Sequence, residues 1–296
     1  MSLSVRPYIY LLGALSLPAC TQISDDRTTS GTNASNNSPN YQTLHTTSTS
    51  GTSTLGGVAL KLRTIPTSTT LTTSSGTLNH ATGATTINDG TYTLVDPDGY
   101  TANGLLTDGT STLISTPAQG FTGNYDYARV YSHSYFVSTV PHVATGIYGV
   151  VTSAADMPKT GSATYKGEAQ ASYFNNTTNF DLSKGASEVT ANFAAGTVDV
   201  TTDSFTITNR DTKVSANIGF NGIKVSGMQI FGNQFSGGTI TTERNGAPVQ
   251  IISNGTQQSA LGRFFGLTNS GIPDEVGGIG YLKGSDGTLT TIFLAD

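Results

Sequence analysis

The chain has 296 residues, of which 11% are charged and 35% hydrophobic, and 14 Lys plus Arg stand against 19 Asp plus Glu. The net charge of -5 and the scattering of the basic residues exclude the basic surface that nucleic-acid binding needs. Thr, Tyr, Phe, Val and Ile favour strands, the 35 Gly supply turns and bulges, and no stretch has sustained helical periodicity. The composition therefore predicts an all-β protein.

The first 20 residues have the pattern of a bacterial export signal. Arg6 precedes an apolar stretch from Tyr8 to Leu17, which is too short for a membrane-spanning helix of about 20 residues. The run Leu17-Pro18-Ala19-Cys20 is similar to the lipobox of bacterial lipoproteins and contains the chain's single cysteine. We predict that residues 1–19 are a lipoprotein signal peptide and that Cys20 is lipidated. The alternative is an ordinary secretory signal followed by a chance cysteine.

Residues 20–54 are rich in Ser, Thr and Asn. Such a composition buries too little apolar surface to offset the entropy lost on ordering. We therefore predict a disordered tether, which as a flexible coil would span roughly 30 Å. Thr21 stands where an Asp would retain a lipoprotein in the inner membrane of enteric bacteria, which favours the outer membrane. Several acyl chains on Cys20 suffice for stable anchoring.

Residues 55–156 are predicted to form a loosely patterned β domain with long loops. Val58–Leu62 alternates apolar and polar side chains, and Thr91–Val95 runs into the turn signal Asp96-Pro97-Asp98-Gly99. Further strands are predicted at Ser134–Val140 and Gly146–Thr152.

A more regular pattern follows Met157-Pro158-Lys159-Thr160-Gly161. Ser162–Tyr173 places Ala, Gly and Tyr on one face, as the interior of a small barrel requires. Further strands are predicted at Glu188–Ala195, Thr197–Thr201, Ser204–Thr208, Val214–Phe220, Ile223–Ile230, Gln234–Thr241, Leu261–Leu267, Gly277–Leu282 and Leu289–Leu294. Many short antiparallel strands at close spacing indicate a sandwich or an up-and-down barrel.

Four motifs in this half resemble the β-barrel of transferrin-binding protein B-like surface lipoproteins. They are Met157–Gly167, Gly232-Asn233-Gln234-Phe235-Ser236-Gly237, Gly262-Arg263-Phe264-Phe265-Gly266 and Pro273-Asp274-Glu275-Val276-Gly277-Gly278. Each motif is common among β proteins, whereas their order and spacing over residues 157–296 are typical of the family. The chain departs from the family at its end, where Leu294-Ala295-Asp296 replaces a basic or small-residue ending.

The resemblance implies one lobe, in which a handle-like β domain (55–156) precedes an antiparallel β-barrel of about eight strands (157–296). It implies a non-enzymatic outer-membrane lipoprotein displayed on the cell surface with the help of an assembly modulator. A gene for a TonB-dependent receptor beside the gene for this protein would favour a role in nutrient capture. The implied ligand is a host or environmental protein or an iron- or haem-related carrier. The alternative is a structural or protective lipoprotein without a specific ligand. We expect a monomer without a cofactor.

An aromatic stretch in the handle-like half is the main candidate for ligand contact. Alternation places five side chains on one face of a strand: Tyr127, Arg129, Tyr131, His133 and Tyr135. Three interpretations remain open: one ordinary face of a strand, a protein-binding face rich in aromatic residues and Arg, or a haem site. The third interpretation follows from haem-binding relatives and would use His133 or His142 as the iron ligand.

Catalytic and metal-binding patterns are weak. The four histidines (His45, His80, His133 and His142) have no metal-ligand spacing, and no GxSxG motif is present. From the resemblance, Glu275 is expected to accept backbone hydrogen bonds at the mouth of the barrel, with ligand contact as the alternative.

Overall fold

The computed structural model describes residues 41–44, 51–63, 68–82, 84–88, 93–96, 116–117, 121, 123, 125–137, 140–252 and 257–296. Seven strands form a first sheet, here called the handle sheet: β1 (Thr52–Arg63), β2 (Ser68–Asn79), β3 (Thr85–Asn88), β4 (Thr93–Asp96), β5 (Thr116–Pro117), β6 (Ala128–Val137) and β7 (Val140–Val150). Within the described ranges no helix has the length and apolar character to cross a membrane.

Ten further strands form the second sheet: β8 (Ser162–Phe174), β9 (Asn179–Asn192), β10 (Thr197–Asp203), β11 (Thr206–Asn209), β12 (Gly222–Phe231), β13 (Gln234–Arg244), β14 (Ala247–Val249), β15 (Gln257–Phe265), β16 (Glu275–Lys283) and β17 (Thr288–Ala295). Strand β10 pairs with both β9 and β12, which closes the ring β8-β9-β10-β12-β13-β15-β16-β17. The predicted all-β fold with an antiparallel barrel of about eight strands is confirmed. Strands β11 and β14 lie outside the ring, on β9 and β13.

One predicted barrel strand is wrong. Val214–Phe220 forms no strand, and in this segment only Ser215 makes a bridge, to Thr208. The segment lies outside the closed ring and pairs with β11 only at its start, where the Asn209 N–H donates to the Val214 carbonyl and the Ala216 N–H donates to the Ile207 carbonyl. Val214 is 62% exposed.

The inward-facing side chains fill the barrel with one apolar cluster. Its aromatic members include Phe193, Phe220, Phe235, Phe264 and Phe293. Phe235 and Phe264 meet edge to face with ring centroids 5.2 Å apart, in the geometry that aromatic pairs prefer. The interior is therefore packed with the chain's own side chains.

The handle sheet has the strand order β4-β3-β2-β1-β7-β6-β5, with antiparallel neighbours throughout. Strand β2 has no counterpart among the predicted strands, because its Ser/Thr-rich sequence lacks an apolar alternation. The single strand predicted at Ser134–Val140 is also wrong. Val137 pairs with Val140, so the chain reverses there between β6 and β7.

Both faces of the handle sheet are covered. One face packs Val58 and Ile147 against the outer wall of the barrel, where it meets Phe265, Ile279 and Leu294. The other face carries a separate cluster, whose buried members include Leu55, Ala59, Leu78, Tyr131 and Tyr148.

The residues Tyr41–Leu44 belong to this folded unit although composition predicts a tether up to residue 54. Leu44 is buried in the second handle cluster, and its backbone N–H donates to the Asp126 carbonyl over 2.8 Å. Strand β1 begins at Thr52.

Candidate functional site: the junction end and the far rim of the barrel

The four motifs that carry the family resemblance meet at one end of the barrel, which we call the junction end. Strand register places there the start of β8, the β12–β13 turn, the end of β15 and the start of β16. Val151 forms a bridge to Phe265 at this end, so the segment that links handle and barrel runs across it. The opposite end is the far rim.

Motif residues bind this linking segment through hydrogen bonds. The side-chain amide of Asn233 donates to the Thr152 carbonyl over 2.6 Å, and the Thr152 hydroxyl donates to the Gly266 carbonyl over 2.6 Å. The backbone N–H of Thr152 donates to the Phe264 carbonyl over 3.0 Å. The β12–β13 turn and the end of β15 therefore fix the entry of the chain into the barrel.

Glu275 joins the barrel to the handle. Its side chain is 1% exposed, and its Oε1 atom accepts hydrogen bonds from the backbone N–H groups of Asp126 and Tyr127, the latter over 3.0 Å. The expectation that Glu275 accepts backbone hydrogen bonds is confirmed. The donors belong to the handle, at a sequence separation of 149 and 148 residues.

Burial raises the pKa of Glu275 from 4.5 to about 8. The two backbone donors and the charge of Arg129 lower this pKa, whereas neighbouring Asp274 raises it. The pKa of Asp274 is itself raised, first by burial and then by Asp126 and Asp296. Desolvation outweighs the hydrogen bonds, so Glu275 keeps its proton far above the ordinary range of a carboxyl group.

Two further contacts hold the same handle segment on the barrel. The hydroxyl of Tyr125 donates to the Leu294 carbonyl over 2.8 Å, and the backbone N–H of Gly123 donates to Glu168 Oε2 over 2.9 Å. Burial raises the pKa of Tyr125. Neither of these two contacts is predictable from local sequence, because each joins positions far apart in the chain.

The structure places three of the predicted ligand-contact residues on one face of β6 and the residues just before it. Tyr127 is half-buried, and burial raises its pKa to about 12. Arg129 is half-buried and its Nη1 atom donates to the carbonyls of Tyr125 and Ala128. Tyr131 is only 1% exposed, within the second handle cluster.

Other predicted residues lie outside the described part of the chain. They are Cys20, His45 and the side chains of His133, Tyr135 and His142. Ligand contact by the aromatic stretch therefore stays a prediction.

A cleft of about 290 Å³ opens at the far rim. It is lined by Ile207, Ala216, Asn217, Phe220, Asn221, Arg244 and Asn245. Asn221 and Asn245 lock two loops together, because the Asn221 amide donates to Asn245 Oδ1 over 3.0 Å and the Asn245 N–H donates to Asn221 Oδ1 over 2.8 Å. The exposed Arg244 adds a cation to a lining of amides over an apolar floor. No sequence motif marks this cleft.

Among the described residues, no group of three or more His, Cys, Asp or Glu side chains is arranged to hold a metal ion. His80 is buried, and its Nε2 atom lies 2.7 Å from the hydroxyl of Ser53.

A family model matches the C-terminal half of the chain. The model described as the C-lobe and N-lobe β-barrels of Tf-binding protein B matches residues 157–295. This match confirms the resemblance that the motifs indicate for the C-terminal half. Curated protein sequences gave no significant match.

Solved structures similar to the chain include intact Ap-TbpB, with 17% identity and a TM-score of 0.44, covering 81% of this chain and 45% of that one. The isotype 1 transferrin-binding protein B of serogroup B Neisseria meningitidis has 17% identity and a TM-score of 0.44, covering 81% and 43%. A structure titled as a surface lipoprotein has 13% identity and a TM-score of 0.36, covering 82% and 98%. The chain thus spans less than half the length of the first two proteins.

Proposed function

We propose that this chain is a lipid-anchored outer-membrane lipoprotein that binds a host or environmental protein at the cell surface. The observation that carries the proposal is the family match over residues 157–295, since the family is named for a protein that binds Tf. A protein partner or a nutrient carrier, including a haem carrier, is the ligand class that this resemblance supports. We propose a binding protein and not an enzyme.

The anchor is part of the same proposal. Cys20 follows an export signal with a lipobox-like ending, and Ser/Thr/Asn-rich residues lie between it and Tyr41, the first residue that the structure describes. In this arrangement the lipid holds the protein on the outer membrane, and a polar tether gives the folded unit reach into the medium.

The packed barrel supports a partner that binds from outside. Since side chains fill the barrel, a ligand meets the loops of the far rim or the exposed parts of the handle. The far-rim cleft offers Arg244 and three Asn side chains, groups that bind carboxylates and amides on a partner's surface. We propose two separate candidate contact regions: this rim, and the aromatic stretch around Arg129 at the opposite end of the barrel.

Cys20→Ala is expected to release the protein from membranes. Without the thiol no lipid is attached, and the remaining apolar run is too short to span a bilayer. Membrane fractionation of cells that make either protein, with metabolic labelling by a fatty acid, measures the effect. Cells that make wild type should retain the label and the protein in the membrane fraction, whereas a mutant that stays in that fraction would contradict the anchor.

Binding is tested with the soluble Cys20→Ala protein immobilised on a sensor. Transferrin, haemin and fractionated serum proteins are the probes, and saturable binding of one of them is expected. Arg244→Glu should weaken that binding by about tenfold or more, because an interface cation becomes an anion. Lys224→Glu is a matched control, since Lys224 is an exposed barrel residue that does not line the cleft. A folded protein that binds none of these probes would instead support a protective lipoprotein without a ligand.

A further inference from the structure

The carboxyl group of Glu275 is held by the handle. Its Oε1 atom accepts the N–H groups of Asp126 and Tyr127, which lie just before β6, whereas Glu275 itself begins β16 of the barrel. Its Oε2 atom is buried, and no donor among the described residues reaches it. One oxygen therefore receives two hydrogen bonds, and the other is buried without a hydrogen-bond partner among the described residues.

The charges that face Glu275 come from both sides of the junction. From the barrel, Asp274 adjoins it, and Asp296 at the end of the chain acts on Asp274. From the handle, Asp126 and Arg129 face the same region, and Tyr127 also lies near the carboxylates. An ionised Glu275 would be a buried charge beside Asp274, with Asp126 and Arg129 close to it.

A neutral carboxyl group fits this space better than a carboxylate does. Its carbonyl oxygen still accepts both N–H groups, and no charge has to be desolvated. When the handle segment separates from the barrel, water reaches the carboxyl group of Glu275, and the desolvation that favours its protonated form is lost. Closing the junction therefore takes up a proton from solvent, and opening it returns the proton.

We propose that the handle residues Gly123 and Tyr125–Tyr127 form with the barrel a proton-dependent latch, which is closed when Glu275 is protonated and loosens when Glu275 ionises. The contacts of Tyr125 with Leu294 and of Gly123 with Glu168 belong to the same segment, so they open and close with it. The latch would couple the pH of the medium to the attachment of the handle.

The direction follows from proton linkage. The closed state holds the Glu275 proton up to a pKa of about 8, and an exposed Glu275 holds it only up to about 4.5. The latch is thus most stable below pH 4.5, weakens by up to tenfold per pH unit above it, and has lost this stabilisation above pH 8. Between pH 5 and pH 7 the opening equilibrium should rise by about 50-fold.

Hydrogen exchange of the two donor amides tests the proposal in the full soluble chain. After correction for the chemical exchange rate, protection of the Asp126 and Tyr127 amides should fall by about 50-fold from pH 5 to pH 7. Glu275→Gln, which keeps the accepting oxygen but cannot ionise, should make this protection independent of pH. Glu188→Gln is the matched control, because Glu188 is an exposed barrel carboxylate that makes none of the latch contacts, and this variant should keep the wild-type slope.

Two results would overturn the latch. One is protection in the wild type that is flat or rises with pH, and the other is an unchanged slope in Glu275→Gln. Should Glu275→Gln fail to fold, carbon NMR of the side-chain carboxyl groups in the wild type decides the question. A Glu275 signal that titrates above pH 7 supports the latch, and titration near the ordinary Glu value refutes it.

Discussion

Gly262→Val is expected to lower the free energy of unfolding by about 3 kcal/mol or more, because it overpacks the barrel core. Gly262 faces inward on β15 between Ala260 and Phe264, and the ring of Phe235 lies over it. A Cβ atom on Gly262 would stand 2.1 Å from Phe235 Cζ and 2.7 Å from the Gly277 carbonyl oxygen. Neither neighbour can retreat, since Phe235 is fully buried and the carbonyl belongs to the paired strand β16.

Urea unfolding followed by circular dichroism measures this loss. Gly280→Ala is the matched control on the neighbouring strand, where a Cβ atom would stand 3.2 Å from its nearest neighbour, the Ile240 methyl group. A methyl group can shift by the few tenths of an ångström needed, so a change below about 1 kcal/mol is expected. Equal stability of Gly262→Val and wild type would show that Phe235 does not cover Gly262.

Tyr131→Ala is expected to lower the free energy of unfolding by about 3–5 kcal/mol, through loss of a buried aromatic ring. Tyr131 is 1% exposed and lies 5.9 Å from the ring of Tyr148, centroid to centroid. It also covers Gly146, where a Cβ atom would stand 2.3 Å from the Tyr131 ring. Calorimetry or urea unfolding of the soluble chain measures the change.

Tyr131→Phe is the control, because it keeps the ring and most of the packing, and we expect it to retain most of the stability. The pair also bears on the predicted contact face. If Tyr131→Ala unfolds at the wild-type urea midpoint yet loses a partner, Tyr131 acts through contact and not through the core. That result would contradict the buried position.

The barrel could be predicted from sequence because its pattern is local. On β8 and β15 small residues alternate with aromatic ones, and Gly, Asn or Asp marks most of the turns between strands. Each such strand can be recognised from its own residues, so the number of strands can be predicted without knowing which strands pair. Val214–Phe220 carries a similar local pattern, but it forms no strand because its pairing with β11 ends after Ala216.

The handle was harder to predict. Strand β2 is built largely from Ser and Thr, yet it pairs with β1 over its whole length. Asn79 lies opposite Thr52 at one end, and Ser68 lies opposite Arg63 at the other. Such a polar strand is stabilised by its place between β1 and β3, which is a tertiary effect. In composition alone, β2 is similar to the Ser/Thr-rich residues 20–54, which were predicted to be a tether.

The junction shows the same limit at the level of single residues. An acceptor role for Glu275 was expected from the family resemblance, and the structure confirms it and shows that the residue is buried. Its donors lie nearly 150 residues upstream, and no local pattern links Asp126 to β16. The far-rim cleft is likewise formed by loops that come together only when the barrel closes.

We expect the shared wall of β15, β16 and β17 to make the two sheets one cooperative folding unit. Inward side chains of these strands, such as Phe264 and Phe293, belong to the barrel core, whereas Phe265, Ile279 and Leu294 belong to the cluster under the handle. In a barrel expressed without the handle, the side chains of this second cluster would be exposed to water. They would form a continuous apolar surface that is prone to aggregation. Full-length protein should accordingly melt in a single transition, and residues 157–296 expressed alone should self-associate.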